Sequence, residues 1–257
     1  MNQQRIRIRY TKVDRARFLS ARDLTSVWER ALRRADLPIA YSEGFTPHAK
    51  VSFPDALPLG VESTGEYAEL TFAVPIDPGP DLGRLSATLP GGMDVTTYLE
   101  VPDGAPKLAR MLRDTLWELR WPTVDDTSAA ELAAELDRRA QGLLDATSIE
   151  VVKQRPDGDR TIDVRPSLLA LRASHGPVHG AAPTTVLRAV LTNAGATVRP
   201  TDLHQALLQL APADATLLPE PRTTVRVAQG QHVEEGLREA LSGQLEPLVP
   251  SVAVEAA

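Results

Sequence analysis

Cysteine is absent from the chain. Disulfides, Cys-based zinc sites, cysteine nucleophiles and thiolate-held iron–sulfur clusters are therefore excluded. No apolar stretch reaches the roughly 18 to 20 residues needed to span a bilayer. The first residues, Met1 to Arg9, are polar and basic with no apolar h-region, so a secretory signal is not expected. A cytoplasmic protein without a membrane partner is the expectation. Phosphate-binding P-loop, dinucleotide fingerprint, HExxH and GxSxG patterns are all missing. His175 and His179 are four apart, but Gly176 and Pro177 lie between them and argue against a shared helix face. Neither a cofactor nor a metal is expected.

What is present is a globular composition, with 42% hydrophobic and 24% charged residues. A length of 257 residues suits two domains or one large one. The net charge of -6 is unevenly spread. Residues 1–50 carry 11 Lys/Arg against five Asp/Glu, and the remaining 207 carry 17 against 29. A basic N-terminal region on an acidic body points to a local anion-binding surface, or to a solvated face that balances the rest.

The patterning is legible in places. Arg5 to Tyr10 alternates strictly, which predicts a strand with Ile6, Ile8 and Tyr10 inward. Ser20 reads as an N-cap with Asp23 in a box-like position. Leu24, Val27, Trp28, Ala31, Leu32 and Ala35 then recur at helical spacing. Pro38 ends that helix near Asp36. Lys50–Phe53, Glu66–Val74 and Met93–Val101 read as strands, the last with Val95, Leu99 and Val101 inward, and Asp81–Leu89 as a short helix. The order is β-α-β-β-α-β, a ferredoxin-like split βαβ unit.

The second half is expected to repeat it. Its strands are Leu116–Trp121, a hairpin of 149–155 with 160–164 around Asp157-Gly158, then Leu168–Ala173, Thr185–Thr192 and Arg222–Val227. Its helices are Ser128–Asp145 and Thr201–Leu210. The fold class expected is α+β with tandem ferredoxin-like (βαββαβ) domains. The first covers residues 1–104, the second 105–230, and 231–257 form a helix at Val233–Leu245 and a mobile tail.

Two regions could carry chemistry. Arg22, Arg30, Arg33 and Arg34 lie beside or opposite the apolar stripe of the first helix, where planar guanidinium forks suit phosphate. Glu29 could instead pair with Arg33. The loop that follows holds Tyr41, Ser42, Glu43, Gly44, Phe45, Thr46, Pro47, His48 and Lys50. Such a mixture in one connection suggests contact with a ligand. His48 with Lys50 or Tyr41 could also do general acid–base work. On the sheet, Arg5, Arg7 and Arg9 point away from the helices, beside Tyr67, Glu69, Tyr98 and Glu100. That face is either a single-strand RNA platform or a set of cross-strand pairs, Arg7 and Arg9 with Glu69 and Glu100.

One stretch carries a resemblance. Its motifs are Phe18-Leu19-Ser20, Asp23-Leu24, Glu29 to Ala35, Leu37 to His48, and Leu57-Pro58-Leu59-Gly60-Val61. In these the chain resembles a radical-SAM-linked bacterial family of unknown function, over roughly residues 5 to 70. Members occur as free proteins or as the C-terminal part of larger radical SAM proteins. The resemblance implies a setting in RNA metabolism, with RNA, a radical SAM protein or ribonuclease E/G as partners. The family commonly shows Ser-His-Leu-Asp before the helix, where this chain has Ser20-Ala21-Arg22-Asp23.

The expectation is a non-catalytic accessory protein that binds RNA or presents it to such a partner. Its contact residues would be Arg22, Arg30, Arg33, Arg34, Tyr41, Glu43, Phe45, His48 and Lys50. The alternatives are a metal-independent RNA endonuclease using His48, and a protein-interaction scaffold.

Overall fold

Alternation at Ile6, Ile8 and Tyr10 is realised as β1 (Gln4–Lys12), with all three side chains at 1% exposure or less. The computed structural model describes residues 3–55, 57–154, 158–177, 183–195, 197–211 and 218–250. Among them are four α-helices in an α+β fold, and none is long and apolar enough to cross a membrane. The chain divides into two compact units. One is Met1–Leu112 with Glu239–Gln244, the other Arg113–Arg238 with Leu245–Ala257.

In the first unit β1 leads to α1 (Ala21–Arg34), then β2 (Val51–Ser52), β3 (Glu62–Phe72), α2 (Pro78–Thr88) and β4 (Val95–Glu100). The strand order is β4-β1-β3-β2, antiparallel throughout. Residue type explains the helix that matters most. The Ser20 hydroxyl accepts from the Asp23 amide, and the Asp23 carboxylate accepts from the Ser20 amide, so two orphan donors are satisfied reciprocally. The predicted stripe Leu24, Val27, Trp28, Ala31 and Leu32 is the buried face. Trp28 is fully buried and meets the Tyr10 ring edge-on at 5.0 Å. α2 begins three residues before the predicted start, because Pro78 and Pro80 suit a first turn whose amides are unpaired anyway.

One strand faces the wrong way in the sequence reading. Strict alternation puts Val95, Leu99 and Val101 on one face. The register instead sets Tyr10 opposite Val95, then Arg9 opposite Thr97, Ile8 opposite Tyr98 and Arg7 opposite Leu99. The irregularity between Arg9 and Tyr10 inserts one residue into β4 and reverses its faces from there on. Tyr98 and Glu100 therefore share the helix side with Ile8 and Ile6. The Tyr98 hydroxyl would lie 3.8 Å from a Cβ placed on Gly79 of α2.

In the second unit the elements are β5 (Asp114–Pro122), α3 (Asp126–Asp145), a separate hairpin of β6 (Glu150–Lys153) and β7 (Arg160–Asp163), β8 (Leu168–Pro177), β9 (Pro183–Thr192), α4 (Pro200–Gln209) and β10 (Thr223–Val233). The order β10-β5-β9-β8 is again antiparallel. α3 packs on β8 and β9 and touches α4. Of the predicted hairpin turn, Asp157 lies outside the described residues, and Gly158 has φ 114°.

The helix expected at Val233–Leu245 is not formed. That stretch is β11 (Gly236–Glu239), a turn, and the start of β12 (Leu245–Pro247). Leu237, Leu241 and Leu245 mimic a helical period, but two glycines override it. Gly236 has φ 155°, and a Cβ there would sit 2.2 Å from the Glu246 carbonyl oxygen. Gly243, at φ 69°, turns the chain back. The Glu239 carboxylate secures the turn by accepting from the Leu241 and Ser242 amides. Of the expected mobile tail, 247–250 continue from β12, and 251–257 lie outside the described residues.

Candidate functional site

The four arginines of α1 are exposed, and none forms an ion pair or donates a side-chain hydrogen bond among the described residues. Helical geometry sets Arg22, Glu29 and Arg33 on one stripe, with Arg30 and Arg34 beside it. Their field is felt nearby. The Asp23 carboxyl titrates below its usual range, chiefly through the Ser20 hydroxyl and amide, with Arg22 and Arg30 adding to the effect. Arg33 and Arg34 in the last turn also complement the helix dipole.

The loop after α1 is a short hairpin. Tyr41 bridges to Ala49, the Ser42 amide donates to the His48 carbonyl at 2.8 Å, and the His48 amide donates to the Ser42 hydroxyl at 3.0 Å. At its base the Lys50 amide donates to Ala40 and the Thr71 amide to Lys50, so β3 anchors it. At its tip Gly44 adopts φ 125°. Glu43, Phe45, His48 and the Lys50 side chain are exposed, Tyr41 half so, and Phe45 is at 110% of its reference exposure. His48 Nδ1 lies 3.7 Å from Glu29 Oε1. That is too long for a hydrogen bond, but it sets the loop beside the Arg22–Glu29–Arg33 stripe. Glu29 thus meets His48, where the sequence offered Arg33.

The sheet face of Arg5, Arg7 and Arg9 is covered at its centre, Arg7. Arg7 is 2% exposed and donates to Glu69 at 2.8 Å, to the Met111 sulfur at 2.8 Å and to the Pro106 carbonyl. Arg5 reaches the same Glu69 at 3.5 Å, and Arg9 donates to the Thr64 carbonyl at 3.0 Å. Tyr67 is buried with Leu108, Leu112 and Leu241, and its hydroxyl donates to Glu239 at 2.8 Å. The centre of this face, at Arg7 and Tyr67, is therefore covered, while Arg5 and Arg9 are half-buried. The pairing of Arg7 with Glu69 is as expected. Glu100 takes Gln4 as its partner, at 3.0 Å, because the β4 bulge turns it to the other face.

A cleft of about 600 Å³ in the second unit was not foreseen from the sequence. Lys153 of β6 and Asp202 of α4 meet across it at 2.8 Å, and Lys153 also donates to the Thr197 carbonyl. Some fifty residues separate the two sides, so no motif could reveal it. Its lysine is already paired, and Arg199, whose backbone amide donates to Asp202, is exposed among the lining residues. His175 is exposed on β8, and His179 lies outside the described residues.

A comparison with curated proteins found no match. The family model described as an uncharacterized protein conserved in bacteria, DUF2344, matches residues 5–200. The match runs from β1 to the first residue of α4, and includes the arginine helix, its hairpin loop and the sheet face covered at Arg7. With most of the chain inside it, this protein belongs to the DUF2344 family of bacteria.

Proposed function

We propose that the protein is a non-catalytic accessory module of RNA metabolism. Its RNA-binding surface is α1 with the hairpin loop, through Arg22, Arg30, Arg33, Arg34, Tyr41, Phe45, His48 and Lys50. It holds RNA, or presents it to a radical SAM protein or ribonuclease E/G. The observation that carries this reading is the set of four exposed arginines that form no ion pair among the described residues, on the same helix as Glu29, which the loop's His48 approaches to 3.7 Å. Guanidinium groups left unpaired on one helix suit phosphate, which each can bind through two donors. The resemblance to the radical-SAM-linked family supports the setting. The cysteine-free composition means that any radical SAM cluster belongs to a partner. We read both units as ferredoxin-like. The shared order of fourth, first, third and second principal strand supports that reading.

The test is RNA binding over a salt series. Each phosphate contact contributes a slope of about 0.7 to 0.9 in log K against log salt. Arg30→Glu with Arg34→Glu should weaken binding and flatten the slope by about 1.5. No RNA retention at any salt, with a protein co-purifying, would overturn the reading in favour of a protein-interaction scaffold.

The 3.7 Å approach of Glu29 to His48 favours one second reading. In it His48, oriented by Glu29, is the base of a metal-independent RNA endonuclease. RNA cleavage in chelator that His48→Ala abolishes would establish it.

A further inference from the structure

Phe45 has no role in the fold. It stands fully exposed at the tip of the hairpin, and none of the described residues covers it. Yet the tip is held rather than loose. Ser42 and His48 exchange two hydrogen bonds beneath it, Tyr41 bridges to Ala49, and Gly44 supplies the backbone turn that positions residue 45. A large apolar ring on a pinned stalk contributes no burial to folding, so its use lies in a contact.

The surroundings specify the contact. The stalk leans on Glu29 through His48, one helical turn from Arg33 and two from Arg22. Tyr41 adds a second aromatic ring, half-exposed, on the same hairpin. Aromatic faces next to unpaired guanidinium groups form the pattern that holds unstacked bases while cations track the backbone. A base-paired duplex keeps its bases stacked and offers Phe45 no face except at an end. An unpaired base offers one directly.

We infer that the hairpin is a base-stacking finger, and that the ligand is RNA with unpaired nucleotides next to a duplex, such as an overhang or loop. Phe45 stacks on the first unpaired base, and the α1 arginines hold the phosphates of the adjoining stem. This rests on the RNA-binding reading above, and it narrows the class of RNA that the site takes.

The experiment uses the full chain and two RNA probes of equal phosphate number: a blunt two-stranded duplex without a loop, and a duplex three base pairs shorter in which one strand carries a six-nucleotide single-stranded overhang. The overhang carries 2-aminopurine at its first unpaired position. The overhang probe should bind about five- to 150-fold more tightly than the blunt one, the range that a single base–aromatic stack gives. Binding should quench the 2-aminopurine. Phe45→Ala should erase that preference with the salt slope unchanged, and Phe45→Trp should keep it. Because residue 45 is exposed, thermal melting of Phe45→Ala should match the parent. Equal affinity of parent and Phe45→Ala for the overhang probe, with salt-dependent binding retained, overturns the stacking finger and leaves the RNA-binding reading standing. Failure of both probes at low salt overturns both. Loss of a co-purifying protein in Phe45→Ala, with RNA affinity intact, identifies the tip as a protein contact and also overturns it.

Discussion

Removing the carboxylate of Glu69 tests why the sheet face is covered at Arg7. Arg7 is 2% exposed, and its only carboxylate partner among the described residues is Glu69 at 2.8 Å. The remaining donors meet the Met111 sulfur and the Pro106 carbonyl, neither of which carries charge. Glu69→Ala therefore strands a buried guanidinium, a change that costs about 3 to 5 kcal/mol. The lower end is expected here, because Glu69 keeps 17% exposure and water can reach the vacated space. Replacing both partners, Arg7→Met with Glu69→Leu, removes the stranded charge and should recover most of the loss. The two units need not unfold together, so a single global transition is a poor readout. Hydrogen exchange of the β1 and β3 amides, followed by mass spectrometry, reports the first unit alone. Protection in Glu69→Ala should fall by about 3 kcal/mol at β1, equivalent to roughly a hundredfold faster exchange. Unchanged protection in Glu69→Ala, or a double variant as damaged as the single one, would refute the argument.

Acid should open the Glu239 turn late. Burial acts to raise that carboxyl, but hydrogen bonds from the Ser242 hydroxyl and amide, the Leu241 amide and Tyr67 outweigh it and hold it below the ordinary 4.5. A depressed carboxyl contributes stability above its unfolded value and loses it as pH falls through the folded value. Exchange protection of 239–244 should thus persist to below pH 4.5 and then fall, and Glu239→Gln should lack this step. Gly236→Ala forces a Cβ against the Glu246 carbonyl and should detach β12 from β11, read as lost protection at Leu237 and Leu248. The change should exceed the few tenths of a kcal/mol typical of an exposed surface substitution.

The sequence was most legible where one period ran unbroken. The α1 stripe and its Ser20–Asp23 box appear as expected, because capping and amphipathicity both act over a few residues. The α+β class and the Arg7–Glu69 pair were also readable. Three things were not. The β4 bulge is a property of two strands together, so alternation within β4 alone put Leu99 on the wrong face. The stretch from Gly236 to Leu245 has leucines at helical spacing, and only the close approach to Glu246 shows why Gly236 is there. The cover over Arg7 comes from residues 106–112, about a hundred positions away. At the candidate site the sequence supplied the residues, and the His48–Glu29 contact supplied their neighbourhood. The isolation of Phe45 was invisible, since exposure depends on everything that does not touch it.

RNA binding by the α1 arginines is the core of the proposed function. It is tested most directly by titrating RNA with the parent chain and with Arg30→Glu, Arg34→Glu between 50 and 200 mM salt, a range in which several phosphate contacts change affinity strongly. Binding by the parent should depend steeply on salt, and the variant should bind more weakly with a slope reduced by about 1.5. Binding by the variant that equals the parent in affinity and slope would contradict it.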